Sequence, residues 1–143
     1  MNLSDLLAED RVKKVQPDRL QAQECLKAAG RDVRVAKKML AEDFDWAFSV
    51  AYNAMLQSAR ALMFADGYAP VGENHHKIAV DYADVKLGTK FKEKVELFDD
   101  MRKKRHKAVY EKVGAISEYE ARHAIETADD FLRKVREKLG AEK

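Results

Sequence analysis

The chain has 143 residues, a size usual for one domain, and its 46% hydrophobic and 36% charged residues with two prolines and six glycines read as a mostly helical protein. Its 27 Lys and Arg against 25 Asp and Glu leave a formal charge of +2, which excludes a globally basic nucleic-acid binder; any such affinity must come from local clustering. The single cysteine, Cys25, excludes an internal disulfide and points to a reducing compartment. The acid-rich start MNLSDLLAED reads against a signal peptide, and no run reaches the roughly 18 apolar residues of a membrane span, so a cytoplasmic protein with no membrane contact is expected.

The chain shows no internal repeat and no domain-sized linker, so residues 1–143 are read as one domain, with 1–15 a short N-terminal helix or arm. Ser4 is the expected N-cap of that first helix. After Pro17, Ala22, Cys25, Leu26, Ala29, Val33, Ala36 and Leu40 recur at steps of three and four, which predicts a long amphipathic helix to about Glu42. Gly30 within it costs of order 1 kcal/mol relative to Ala unless it admits a neighbouring helix.

A second long helix is predicted from Asp43 or Asp45 to a C-cap at Gly67, with Phe44, Ala47, Phe48, Ala51, Met55, Ser58, Ala59 and Leu62 on its face. Trp46, near its start, is expected to be partly buried. GYAPVGEN then reads as a loop, and HHKIAVDYADVKLG as a shorter helix through Ile78, Tyr82 and Val85, closed by Gly88. The next helix runs from about Lys90 to Lys112, with Gly114 ending it. Ser117 and Glu120 form a capping box for the last, whose face is Ala121, Ala124, Ile125, Ala128, Leu132, Val135 and Leu139. No segment shows strand alternation. The expected fold is an all-α, antiparallel up-and-down bundle of four to five helices.

The segment MRKKRHKAVYE, residues 101–111, concentrates positive charge. At about 100° per residue, with Phe91 at zero, Val95, Phe98 and Val109 all lie within roughly 40° of it; Arg102 and Arg105 fall within the same range, and His106 lies on its edge at roughly 60°. Lys103, Lys104 and Lys107 point the other way, as solvated charges. An inward arginine must either pair with a carboxylate, for which Asp45, Asp66 and Asp81 are candidates, or line a groove that holds an anion bidentately. His106 is one helical turn beyond Arg102 and can exchange protons near neutral pH. Guanidinium plus imidazole is sufficient equipment for phosphodiester cleavage without a metal.

Elsewhere the chemistry is sparse. His75 and His76 read as a solvated helix start, His123 as a surface residue and Cys25 as core. No Gly-rich phosphate loop occurs, and neither a metal site nor a cofactor is expected.

Three stretches carry a family resemblance. AYNAMLQSARALMFADGYAP is similar to the second long helix of the HEPN domains (higher eukaryotes and prokaryotes nucleotide-binding), HHKIAVDYADVKLG to the short helix that follows, and RKKRHKAVYE to their signature helix. In that helix an Arg is commonly followed by Asn and, a turn later, by Tyr. On this match Arg105 takes the Arg position, His106 stands where Asn is frequent and Tyr110 takes the Tyr position. The chain from about Gln16 onward resembles the small prokaryotic members.

The resemblance implies a helical bundle that forms a homodimer, with RNA or a nucleotide as ligand. It also implies, for many members, metal-independent endoribonuclease activity as the toxin of a toxin–antitoxin pair, the antitoxin being a minimal nucleotidyltransferase. Carried to this chain, Arg102 and His106 are the candidate catalytic pair, and Arg105 and Tyr110 the candidate nucleotide- and phosphate-binding residues. The chain departs from the catalytic pattern: Tyr110 and Glu111, not His, follow Arg105 at the family's distance, and Arg102 and His106 are one intervening residue short of it. That leaves two readings, a shortened working pair or a non-catalytic helical module that binds a nucleotidyltransferase partner or itself.

Overall fold

Asp18, Asp43 and Ser117 each turn the chain into a long helix by accepting a hydrogen bond from a backbone N–H three residues on, at 2.9, 3.0 and 3.1 Å. Such caps satisfy donors that have no partner inside the helix. A computed structural model describes residues 1–140; residues 141–143 and the side chain of Val109, expected on the inward stripe, lie outside the described residues.

The elements are α1 (Leu3–Ala8), β1 (Val12–Lys14), α2 (Arg19–Met39), α3 (Phe44–Asp66), β2 (Tyr68–Pro70), α4 (His75–Leu87), a 3-10 turn (Thr89–Phe91), α5 (Lys92–Tyr110) and α6 (Glu118–Leu139). The fold is the expected all-α bundle. Helix α3 is its axis, packing against α2, α4, α5 and α6. It can do so because Ala47, Ala51, Ala54, Ala59 and Ala61 on its surface are all fully buried and hold neighbouring backbones close. Tyr52, Phe98 and Phe131 form an aromatic column through the core, with ring centroids 5.6 and 5.3 Å apart.

Two local expectations are corrected. Asn2, not Ser4, caps α1, in a reciprocal capping box with Asp5. The N-terminal arm also contains a strand: β1 pairs antiparallel with β2, Val12 opposite Pro70 and Lys14 opposite Tyr68. Strands of three residues are too short to display alternation, and their pairing is between distant segments. Gly67 makes the junction: its φ of 81° and the approach of the Val15 carbonyl, 2.7 Å from where a Cβ would stand, exclude a side chain. Among the described residues no helix is long and apolar enough to cross a membrane.

Candidate functional site

Helix α5 begins its inward face as expected, with Val95 and Phe98 buried, and extends it through Met101 and Ala108. Arg102 and Arg105 lie at the margin of that face, each partly buried. Arg102 does not reach Asp45, Asp66 or Asp81. Its Nε donates to Oδ1 of Asp99, one turn earlier on the same helix, at 3.0 Å. Asp99 is shared, since Lys77 and Lys103 lie 3.4 and 3.5 Å from its other oxygen. Loss of water around Asp99 would raise its pKa, but the Arg102 hydrogen bond and the Lys77, Arg102 and Lys103 charges outweigh this and hold it below the usual carboxylate range.

The other three carboxylates serve elsewhere. Asp45 accepts the backbone N–H groups of Gly114 and Ile116, Asp66 accepts the Tyr82 hydroxyl and pairs with Lys86, and Asp81 pairs with Arg11 and Lys77.

Arg105 has no carboxylate within 4.0 Å among the described residues; its guanidinium lies over the Tyr52 ring, 5.1 Å from the centroid. Tyr52 is 1% exposed, and burial pushes its phenol up to about 12. Its hydroxyl is 2.9 Å from Nδ1 of His76. A buried phenol needs an acceptor, and Nδ1 is the one within reach; the hydroxyl therefore donates, and the neutral imidazole carries its hydrogen on Nε2. Partial loss of water around His76 lowers its pKa, and the charges of Arg105, Arg60, Arg102 and His75 lower it further. Three guanidinium groups thus act on one imidazole.

His75 and His76 are both exposed at the start of α4, as expected of a solvated helix start, but Nδ1 of His76 is engaged by Tyr52. Ala79, Val80 and Ala83 stand three, four and seven positions beyond His76 and are buried, so helical spacing places its inner edge toward α3. Beside it, Lys13, Arg60, His75 and His76 edge a cavity of about 530 Å³ between β1, β2, α3 and α4.

His106 and Tyr110 stand apart from this cluster. Both are exposed, and their rings contact each other with centroids 5.1 Å apart. Of the three lysines, Lys104 is not simply solvated but pairs with Glu120 on α6. Trp46 is 52% exposed, Cys25 is buried, and His123 is exposed, its ring stacked on Tyr119. Among the described residues no three His, Cys, Asp or Glu side chains gather as a metal site.

The arrangement can therefore hold an anion. Arg105 supplies a planar cation already oriented by an aromatic ring, Arg102 is fixed by Asp99, and a neutral histidine offers a donor beside them. The same segments carry the family likeness: the HEPN domain model matches residues 22–138, from the first buried turn of α2 to the last turn of α6. No curated protein matches the chain. With the family pattern covering the bundle and the arginine-bearing α5, the chain belongs to the HEPN family.

Proposed function

We propose that the protein acts as one domain that binds RNA or a nucleotide through the phosphate, with Arg102 and Arg105 holding the anion. The observation that carries this reading is the position of Arg105, partly desolvated over Tyr52 and without a carboxylate partner among the described residues. A guanidinium so placed gains from a phosphate, which takes two parallel hydrogen bonds from it.

The catalytic reading assigns proton transfer to His106, one turn beyond Arg102 and open to solvent. The imidazole takes the proton from a ribose 2′-hydroxyl as that oxygen attacks phosphorus, and gives it to the departing 5′-oxygen. Arg102 stabilises the charge that builds on the phosphorane. Tyr110, in ring contact with His106, positions the substrate. Two protomers with their α5 helices facing one cleft would supply the full set, as in a toxin dimer held in check by a nucleotidyltransferase antitoxin.

The test is incubation of purified protein with RNA in EDTA, beside Arg102→Ala, His106→Ala and His76→Ala. Loss of cleavage in the first two supports the assignment. Loss in His76→Ala with His106→Ala active transfers the proton role to α4. Absence of cleavage together with RNA affinity unchanged by Arg102→Ala and Arg105→Ala overturns the reading.

A second reading, a non-catalytic interaction module, is favoured by exposed apolar surface: Trp46, Tyr110, Val113 and Tyr119 are 52 to 92% exposed. Asp45 fastens the α5–α6 connection to the start of α3, which brings Trp46 and Val113 to the same end of the bundle. Loss of self-association or of partner capture in Trp46→Ser, with RNA affinity unaffected, favours this second reading.

A further inference from the structure

The cavity beside His76 has a division of character that the arginine cluster lacks. Lys13, Arg60, His75 and His76 supply its polar edge, and no carboxylate is among its lining residues. Lys13, Arg60 and His75 are exposed and make no ion pair among the described residues. Leu56, Met63, Phe64 and Tyr68 form its apolar wall. Arg60 lies over the Phe64 ring at 5.8 Å, which holds that cation at the boundary between edge and wall. The volume of about 530 Å³ falls within the range of roughly 300–1,000 Å³ usual for small-molecule sites.

A free phosphate would leave the apolar wall unused, and an uncharged ring would leave the cations unanswered. The two halves fit a single ligand with a flat heteroaromatic body and an attached anion. We propose that this cavity is a nucleoside-monophosphate subsite, with the base against Phe64 and Tyr68 and the phosphate at Arg60 and Lys13. The inference deepens the phosphate-binding reading above and rests on it for the ligand class. His76 belongs to both places: its ring edges the cavity and its Nδ1 meets Tyr52 beneath Arg105. The same base-plus-phosphate chemistry arrives as a free mononucleotide or as one residue of an RNA strand whose neighbouring phosphate lies on Arg105.

Calorimetric titration of the full chain with AMP, adenosine and inorganic phosphate tests this. AMP is expected to bind at least about tenfold more tightly than either fragment, and Arg60→Ala to weaken it about tenfold, the usual scale for one charge-assisted hydrogen bond. Val15→Glu, which sets a carboxylate on an exposed residue of the cavity lining, is expected to weaken AMP without altering the helical circular dichroism. A short RNA that displaces AMP identifies the strand as the source of the ligand, and one that does not identifies the free nucleotide; both support the subsite. AMP affinity no greater than that of phosphate, or unaffected by Arg60→Ala and Val15→Glu alike, overturns it. Those results alongside RNA affinity still dependent on Arg102 and Arg105 sink the cavity proposal alone. AMP binding that persists where RNA affinity ignores both arginines sinks the earlier reading alone.

Discussion

The Tyr52 hydroxyl and Nδ1 of His76, 2.9 Å apart, tie the middle of α3 to the first turn of α4, and the Arg105 guanidinium lies over the same Tyr52 ring. The bond fixes the tautomer of an imidazole that three arginines already discourage from taking a proton. His76 should titrate below the ordinary value of about 6.5. Followed by NMR of the ring protons, its pKa should rise toward that value in Arg105→Ala, because a repelling charge is removed. It should rise also when phosphate binds the wild type. A wild-type pKa at or above the ordinary value, or one indifferent to Arg105→Ala, would show that the cluster does not act on this ring.

The same depression has a sign for stability. The unfolded imidazole binds its proton at a higher pH than the folded one, so between the two pKa values the unfolded state holds more protons and stability rises with pH. The contribution is complete above about pH 6.5 and is lost as pH falls through that value toward the folded pKa. Denaturant unfolding between pH 7.5 and 5 should show this slope, and His76→Gln should flatten it. An equal slope in the variant assigns the effect to other groups.

Asp99 restrains the proposed phosphate ligand Arg102 and neutralises part of the local charge, with Lys77 and Lys103 as its other partners. Asp99→Asn should raise affinity for RNA at low salt by about fivefold, the scale of roughly 1 kcal/mol for a partly exposed ion pair, and the gain should fade at high salt. The depressed carboxyl of Asp99 stabilises the fold above its ordinary pKa of about 3.9, and that contribution is lost as pH falls through the lower folded value. A variant that binds RNA no better than wild type would mean Arg102 is not a ligand.

What the sequence revealed follows the range of the forces involved. Helices α2 to α6 were legible because their apolar steps and caps are local: Asp43, Gly67, Gly88, Ser117 and Glu120 sit where the chain turns. The helical projection also put Arg102 and Arg105 on the inner margin of α5. It did not show that Arg102 would meet Asp99 on its own helix, because three- and four-residue neighbours compete with carboxylates on other helices. It did not show the contact of His76 with Tyr52 for a different reason. The His doublet at the helix start is exposed as its pattern implies, and only the packing of α4 on α3 reveals that one ring nitrogen of His76 meets the Tyr52 hydroxyl. The β1–β2 pair depended on a contact between segments farther apart still in the chain.

Gly30 costs helix stability unless another helix needs the space. A Cβ there would stand 2.9 Å from Nη2 of Arg136 and 4.0 Å from a Leu132 methyl. The nearer atom is the tip of a flexible side chain, which can move aside, and the farther is in ordinary contact. Gly30 also lies inside α2, where alanine is favoured by up to about 1 kcal/mol. Gly30→Ala should therefore stabilise the protein by about 0.5–1 kcal/mol in urea unfolding, with the denaturant slope unchanged. Destabilisation would show that Arg136 cannot yield.

Asp45 links distant parts of the chain near α5. Its two carboxylate oxygens accept the backbone N–H of Gly114 at 2.7 Å and of Ile116 at 3.0 Å, while Ile116 buries its own side chain in the core. Removing the carboxylate leaves the Ile116 donor buried without a partner, which costs about 1–3 kcal/mol. Asp45→Ala should lower stability by at least that amount, and Asp45→Asn, which keeps one acceptor oxygen, by less. The connection it fastens follows the turn that carries His106 and Tyr110, so hydrogen exchange in Asp45→Ala should quicken first at residues 111–117 and the last turn of α5. If protection there stays at the wild-type level while global stability falls, Asp45 supports α3 and not the placement of α5.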